Sequence, residues 1–183
     1  MKIILLGLTH ELQWKDTSGD LRKLLDDYLA SHPIDLIAEE ASGLPTTVAQ
    51  RLAFKNDKPW LEIDMSIADR KLAKIYKKLS LRRSAPLNLG ENLDFRIEYL
   101  PREDGIRETE WVRRIRRQRV GVVLCLCGLL HVEPFAKKLE EEGCTVEQRN
   151  VTELDWFRNL YGTCNIVEDQ GIRWCEVRKL MDE

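Results

Sequence analysis

Short apolar segments that alternate with amphipathic helices constrain this chain more than any other feature of its sequence. The clearest are residues 2–6, 34–38 and 120–127, where apolar side chains occupy both faces of a predicted strand. Continuous apolar strands are typical of parallel sheets that are covered on both sides. The pattern therefore predicts an α/β fold with a mainly parallel sheet and helices on both faces. With 183 residues, the chain suits one domain with its own core and is short for two.

The other elements follow from apolar periodicity and from residues that stop helices. Further strands are predicted at residues 60–65 and 144–149. Helices are predicted at residues 19–30, 46–54, 66–79, 107–119, 133–142 and 152–161. Residues 80–105 are predicted to be irregular, with at most a short helix, because they contain several Pro and Gly residues. The order gives an early unit (1–65), a late unit (106–149) and a Trp-rich C-terminal part (150–183) with a hairpin around residues 169–171.

Composition excludes several classes of protein. Hydrophobic residues make up 43% and charged residues 33%, which argues against disorder, and a net charge of −2 does not suit a nucleic-acid coat protein. The longest apolar stretch, residues 120–132, is shorter than the roughly 18 residues of a membrane span, and the N-terminal apolar run is too short for a secretory signal. The five cysteines are an odd number, which favours reduced thiols, with Cys125 and Cys127 in the core. We therefore expect a cytoplasmic protein.

Chemically active side chains follow four of the predicted strands. The first strand leads into Gly7-Leu8-Thr9-His10, and the late strand leads into Gly128-Leu129-Leu130-His131. Glu39 and Glu40 follow the second strand, and Asp64 lies near the end of the third. Ligands of open parallel sheets bind outside the carboxyl ends of the strands. We therefore expect these side chains to line one pocket.

Two neutral imidazoles and a carboxylate form a common ligand set for Zn²⁺, Mn²⁺, Co²⁺ or Fe²⁺. A metal-bound water loses its proton readily and becomes a hydrolytic nucleophile near neutral pH. Glu39 and Glu40 point to opposite faces if the strand continues, so both cannot serve the same site. A buried carboxylate there needs a partner, which a metal, a histidine or Arg107 would supply. Asp64 or Glu62 would complete the set.

Plainer interpretations of the same residues remain open. A single strand-end histidine is often a turn or capping residue, and His32, before Pro33, is predicted to be a surface residue at a helix end. The sequence contains no P-loop, no dinucleotide-binding fingerprint, no Gly-x-Ser-x-Gly elbow and no Cys-x-x-Cys pair. His10-Glu11 is not a zincin motif, because Trp14 stands where the second histidine would be required.

The two Gly-x-x-His segments, the acidic strand end at residues 37–40 and Arg107-Glu108 at a helix start resemble the erythromycin-esterase/ChaN-like superfamily. The closest similarity is to its TraB/GumN/TIKI branch, in which the order of elements across residues 107–148 recurs. The resemblance implies that both histidines and the acid converge on one pocket. It also implies hydrolytic activity, which is metal-dependent in the TIKI members. Carried over, His10 and His131 are metal ligands or acid–base groups, and Arg107 binds an anionic group or stabilises an oxyanion.

We accordingly predict a hydrolase of amide, ester or phosphoester bonds acting on a small-molecule or peptide substrate, by metal-activated water or by a histidine–carboxylate pair. The predicted ligands are His10, Glu39 and His131, and the predicted catalytic groups are Arg107, Glu40 and Asp64. The sequence does not decide between Glu39 and Glu40 as the carboxylate of the pocket.

Two basic segments support a different interpretation. Residues 70–83 hold seven basic residues and no acid, and residues 102–119 hold seven basic residues against four acids. Solvated helix faces explain such charge, but a basic stripe also suits a binding module for nucleic acid or another anionic partner. A third interpretation is a degenerate family member that serves as a scaffold.

Overall fold

A five-stranded parallel sheet lies at the centre of the computed structural model, which describes residues 1–41, 46–75, 95–169 and 172–178. The described strands are β1 Lys2–Leu8, β2 Leu36–Glu39, β3 Trp60–Glu62, β4 Phe95–Tyr99, β5 Val122–Gly128, β6 Thr145–Asn150, β7 Thr163–Asp169 and β8 Ile172–Arg178. The central sheet has the order β3-β2-β5-β1-β6, and all its neighbouring strands are parallel. The prediction of a single α/β domain with a mainly parallel sheet is therefore confirmed.

Helices cover both faces of this sheet. The described α-helices are α1 His10–Trp14, α2 Asp20–Ser31, α3 Val48–Lys55, α4 Ile67–Leu72, α5 Pro101–Arg116, α6 Val132–Glu141 and α7 Asp155–Tyr161. Two short 3₁₀ helices, Leu129–His131 and Val151–Glu153, follow β5 and β6. No helix among the described residues is both long and apolar enough to cross a lipid bilayer.

Alternation along the apolar strands builds two cores, one on each face of the sheet. Ile4 and Leu6 of β1 face α2, α3 and α7, whereas Ile3 and Leu5 face α5 and α6. Cys125 and Cys127 lie in the second core, as predicted, and both are free thiols. Each fully buried aliphatic side chain stabilises the fold by roughly 1.5–3 kcal/mol. The apolar side chains on both faces of these strands therefore favour a sheet that helices cover on both sides.

The prediction that residues 80–105 are irregular is wrong for the described part, residues 95–105. Phe95–Tyr99 is a strand, and α5 begins at Pro101 rather than at residue 107. Proline is tolerated in the first turn because its missing N–H would have no helical acceptor there. The Asp104 carboxylate accepts a hydrogen bond from the Leu100 backbone N–H at 2.7 Å, which ties down the chain where it enters the helix.

Helix α4 is shorter than the predicted helix at residues 66–79. Ser66 and Asp69 form a reciprocal capping box at its start, and the helix ends at Leu72. Lys74 then has a φ of 54°, which takes the backbone out of the right-handed helical region. Residues 76–79 of the prediction lie outside the described residues.

A second, antiparallel sheet was not predicted from the sequence. Its order is β4-β8-β7, and the pair formed by Asp169 and Ile172 confirms the predicted hairpin. Tyr99 of β4 and Ile166 of β7 pack against Leu129 and Leu130, the first two residues of the 3₁₀ helix after β5. The small sheet therefore packs against the segment that carries His131.

Candidate functional site

Three adjacent strands bring the two Gly-x-x-His segments and the acidic doublet to one edge of the sheet. Strands β2, β5 and β1 are neighbours, and all three end at the same edge because they are parallel. His10 is the first residue of α1 after β1, Glu40 directly follows β2, and His131 ends the 3₁₀ helix after β5. The predicted convergence of these residues is therefore what the structure shows.

The Glu40 carboxylate lies between the two imidazoles. Its Oε1 atom is 3.7 Å from Nε2 of His10 and 3.7 Å from Nε2 of His131. Its Oε2 atom accepts a hydrogen bond from the Gly128 backbone N–H at 2.7 Å. Burial raises the pKa of Glu40, but the attraction of His131, His10 and Arg107 outweighs that effect and holds the pKa well below its usual range. Glu40 is therefore a buried, ionised carboxylate.

Gly128 has a steric role at this point. A Cβ atom added there would lie 3.1 Å from His10 Nε2, 3.2 Å from Glu40 Oε2 and 3.4 Å from His131 Cδ2. These are tight contacts, and the absent side chain leaves room for both rings and the carboxylate. The glycine of the second Gly-x-x-His segment thus lets the two histidines approach a common point.

Arg107 is the cation of the buried cluster. Its Nη2 donates to Glu40 Oε1, and its Nε and Nη2 donate to Asp64 at 3.1 and 3.0 Å. Its Nη1 donates to Asp104 at 2.9 Å and lies 3.3 Å from Nε2 of His131. Burial lowers the pKa of Arg107, but the attraction of Glu40 and Asp64 raises it by more than burial lowers it, so the guanidinium stays charged. Arg107 is therefore the compensating partner that the buried carboxylates require.

Asp64 is held from several directions. Besides Arg107, it accepts hydrogen bonds from the Trp111 indole N–H at 3.1 Å and from the Met65 backbone N–H at 2.8 Å, and Arg70 forms an ion pair with it. Its side chain is 3% exposed. Asp64 therefore acts in this structure as an anchor for Arg107. Glu62, the other candidate near this strand end, is exposed.

His131 is a buried imidazole with a defined orientation. Its Nδ1 lies 2.9 Å from Glu108 Oε1, and the Tyr99 hydroxyl donates to Glu108 Oε2 at 3.0 Å. An ionised carboxylate only accepts hydrogen bonds, so the proton of neutral His131 belongs on Nδ1. Nε2 then offers its lone pair to Arg107, which is only a donor. Burial and the adjacent Glu108 carboxylate raise the pKa of Tyr99, so its hydroxyl remains a donor.

His10 is the more accessible of the two imidazoles. Its side chain is 47% exposed, whereas that of His131 is 7% exposed. Nδ1 of His10 lies 2.8 Å from Oε1 of Gln13, one helical turn later. His10 is therefore the imidazole of this cluster that a substrate or a water can approach from solvent.

Glu39 lies apart from the two imidazoles. It accepts hydrogen bonds from Thr47 at 2.5 Å, from Trp60 at 3.0 Å and from Gln13 at 3.2 Å. Burial raises its pKa to about 7, although these three hydrogen bonds oppose the rise. Gln13 links Glu39 to His10, since it contacts both side chains. The geometry thus favours Glu40 as the carboxylate between the histidines, and the metal-ligand role of Glu39 remains a prediction without direct support.

A divalent metal fits this arrangement poorly. Within the described ranges, no group of three or more His, Cys, Asp or Glu side chains is placed to hold a metal ion. The guanidinium of Arg107 lies against Glu40 Oε1 and His131 Nε2, two of the atoms that a shared ion would need. A metal ion bound to these two atoms would have to displace the Arg107 guanidinium or lie beside it. The predicted metal therefore stays a prediction.

Several residues of the cluster were missed by the sequence analysis. On α5, Asp104 lies three residues before Arg107, Trp111 lies four residues after it, and Glu108 lies four residues after Asp104; all are buried. The prediction of an irregular segment before residue 106 hid this stripe. Gln13 follows His10 by three residues, a spacing that places both on one face of a helix.

In the described part of the chain, two surface cavities lie beside the 3₁₀ helix that ends in His131, and neither of them is lined by His10, Glu40, Arg107 or His131, so the pocket expected around these side chains stays a prediction. One of about 450 Å³ is lined by polar and apolar side chains from the end of β6, from the two 3₁₀ helices, from α7 and from β7: Leu129, Asn150, Thr152, Glu153, Arg158, Thr163 and Ile166. It therefore borders the 3₁₀ helix that ends in His131.

The basic segments are partly neutralised within the protein. Arg70 pairs with Asp64, Arg113 and Arg114 pair with Glu110, and Arg107 is buried. Residues 76–83 of the first segment lie outside the described residues. Binding of nucleic acid or another anionic partner through residues 70–83 and 102–119 stays a prediction.

Comparison with known proteins assigns no family to this chain. No protein-family model, curated protein or solved structure matches it. The resemblance to the erythromycin-esterase/ChaN-like superfamily therefore remains a prediction.

Proposed function

We propose that this protein is a hydrolase of ester, amide or phosphoester bonds whose reactive centre is the cluster of His10, Glu40, Arg107 and His131. One observation carries the proposal. The imidazoles of the two Gly-x-x-His segments direct Nε2 toward the same carboxylate oxygen, Glu40 Oε1, at 3.7 Å each. Clusters of ionisable groups with strongly shifted pKa values are enriched at functional sites.

His10 is the proposed general base. Its ring is half exposed, and its Nε2 atom faces the ionised Glu40. When His10 takes a proton from a water that attacks the carbonyl carbon or phosphorus of the substrate, the resulting imidazolium forms beside a carboxylate that stabilises it, and it then gives the proton to the leaving group as the substrate bond breaks. A positioned base of this kind contributes about 10²- to 10⁴-fold to a reaction rate.

Arg107 and His131 are proposed to hold Glu40 in place. Arg107 already donates to three carboxylates, and His131 is fixed between Glu108 and Arg107. A carboxylate whose partners are preorganised stabilises a new positive charge on His10 without rearrangement. The predicted role of Arg107 as an anion-binding group receives less support, because its side chain is only 5% exposed.

Metal-activated water is the other route that the sequence predicts. A metal ion shared by His10, His131 and Glu40 would compete with Arg107 for the same atoms, so we propose the metal-free route. The two routes differ in one measurable quantity, the metal content of the active protein.

The test is a hydrolysis panel of activated esters, amides and phosphoesters, measured with the wild type, His10→Ala and His131→Ala. His32→Ala is the matched control, since His32 caps the end of α2. The proposal predicts loss of at least about 100-fold in kcat/KM for His10→Ala and no change for His32→Ala. Absence of turnover across the panel, or equal activity of His10→Ala and the wild type, would overturn it.

Metal content of the same preparations, purified without chelator, separates the routes. The metal-free route predicts activity at substoichiometric metal and no effect of a chelator. Stoichiometric metal that is lost in both His10→Ala and His131→Ala would replace that route by the metal-dependent one.

A further inference from the structure

Gln13 connects the exposed imidazole of the cluster to the acid behind it. Its side chain is fully buried on α1, one turn after His10. Its Nε2 donates to the Glu40 backbone oxygen at 3.1 Å and to Glu39 Oε1 at 3.2 Å. Its Oε1 lies 2.8 Å from Nδ1 of His10.

These contacts determine which way the Gln13 amide faces. The backbone oxygen of Glu40 is an acceptor at every pH, so the group that faces it must be the NH₂ of Gln13. The reversed amide would place two oxygens against each other in a buried site, which costs the desolvation free energy of both. The carbonyl oxygen of Gln13 therefore has to face His10.

A carbonyl oxygen 2.8 Å from a ring nitrogen requires a proton on that nitrogen. We propose that Gln13, anchored by Glu39, is a positioning residue that fixes neutral His10 as the Nδ1–H tautomer and so leaves Nε2 free as a base beside Glu40. A histidine in water favours the opposite tautomer, with the proton on Nε2. The importance of this tautomer for catalysis rests on the proposed function, whereas the tautomer itself does not.

Glu39 is held in a way that suits an anchor. Its Oε2 accepts from the Thr47 hydroxyl at 2.5 Å and from the Trp60 indole at 3.0 Å. The Thr47 hydroxyl in turn accepts from the Gln50 backbone N–H as the N-cap of α3. Because Oε2 is saturated by these donors, Oε1 is left to receive Gln13. The position of the amide is thereby tied to the start of α3 and to β3.

The test is the tautomer of His10, measured by long-range ¹H–¹⁵N NMR of the ¹⁵N-labelled full chain at a pH well above the ordinary histidine pKa of about 6.5. The chain has three histidines, and single His→Ala variants assign their signals. The variant is Gln13→Leu, which has a similar size and no hydrogen-bonding group. Gln118→Leu is the matched control, because Gln118 is exposed on the chain after α5.

We expect His10 of the wild type and of Gln118→Leu to be mainly Nδ1–H, and His10 of Gln13→Leu to become mainly Nε2–H. Wild-type His10 in the Nε2–H form, or an unchanged tautomer in Gln13→Leu, would overturn the proposal. If Gln13→Leu does not fold, the wild-type spectrum still decides, and Gln13→Met replaces the variant.

Activity separates this inference from the proposed function. With a substrate from the panel, Gln13→Leu should lower kcat by about tenfold or more and leave KM nearly unchanged, because a base in the wrong tautomer cannot accept the proton. A tautomer change in a chain without hydrolase activity supports the positioning role and contradicts the function. His10-dependent hydrolysis with an unchanged tautomer supports the proposed function and contradicts the positioning role of Gln13.

Discussion

Removing the buried cation of the cluster is the perturbation that most sharply probes how its charges are balanced. Arg107→Met keeps much of the apolar stem and deletes the guanidinium. Glu40, Asp64 and Asp104 each lose a donor, and these side chains are between 1% and 3% exposed. The variant therefore leaves three buried carboxylates with fewer partners.

The magnitude follows from what each acid retains. Asp64 keeps Arg70 and the Trp111 indole, Asp104 keeps the Leu100 N–H, and Glu40 keeps the Gly128 N–H. Breaking one buried ion pair costs about 3–5 kcal/mol, because a charge is left uncompensated. The remaining donors limit the loss, so we expect Arg107→Met to lower the free energy of unfolding at pH 7 by about 3–5 kcal/mol in total.

The loss should depend on pH in a defined direction. The folded-state pKa of Glu40 lies below its ordinary value of 4.5, since the attraction of the histidines and Arg107 outweighs burial. A lowered pKa contributes stability that is present above the ordinary value and is lost as the pH falls below it. Arg107→Met removes part of this contribution. The difference between wild type and variant should therefore be largest near neutral pH and shrink as the pH falls below about 4.5 toward the lowered folded-state pKa of Glu40.

The assay is urea unfolding followed by tryptophan fluorescence at several pH values. Arg116→Met is the matched control, because Arg116 is exposed on the same helix, and its effect should stay within about 0.5 kcal/mol. A loss below about 1 kcal/mol for Arg107→Met at pH 7, or a loss that does not vary with pH, would contradict the role of Arg107 as the cation that balances these buried carboxylates.

Three further predictions address the packing and the buried acid. Gly7→Ala should lower the free energy of unfolding by about 1–3 kcal/mol, because its Cβ would overlap neighbouring side chains, whereas Gly105→Ala, in open space on α5, should raise it by about 0.5–1 kcal/mol; urea unfolding of the pair checks both signs. Burial raises the pKa of Glu39 to about 7, so between about pH 4.5 and 7 the folded chain holds a proton that the unfolded chain releases. The free energy of unfolding of the wild type should therefore fall as the pH rises from about 4.5 to 7. The stability of Glu39→Gln relative to wild type should rise over that range by on the order of 2 kcal/mol, and a difference constant with pH would contradict the raised pKa. Cys125 and Cys127, both fully buried, should resist alkylation until the chain unfolds, as peptide mass spectrometry can show; labelling of either in the folded chain would contradict their place in the core.

The parallel sheet was predictable because its central strands are continuous apolar runs in the sequence. Residues 122–128 are apolar on both faces, a pattern that only a covered strand satisfies. Parallel strands end at a common edge, so a parallel sheet already places His10, Glu40 and His131 at the same edge, whereas the position of β5 between β2 and β1, which makes them neighbours, is seen only in the structure. The same argument could not choose between Glu39 and Glu40, because that choice depends on where β2 stops.

The acidic surroundings of Arg107 were not predictable from local pattern. Asp104 and Glu108 are charged residues on a helix rich in charge, and such residues usually face water. They are buried here because Arg107, on the same helix, pairs with Asp104, and His131, from a distant part of the chain, pairs with Glu108. Long-range compensation of this kind leaves no periodic signal beyond the helical spacing. Pro101 and Gly105 also made the start of α5 hard to predict, because Pro and Gly usually indicate irregular structure.

The convergence of the two Gly-x-x-His segments is tested most directly by through-space NMR contacts at Gly128. A hydrogen that points along the direction of the absent Cβ lies between the two rings, since that Cβ would be 3.1 Å from His10 Nε2 and 3.4 Å from His131 Cδ2. Nuclear Overhauser effects from a Gly128 Hα to ring protons of both His10 and His131, and to none of His32, are the predicted result. An effect to one ring alone, or to neither, would contradict the shared site.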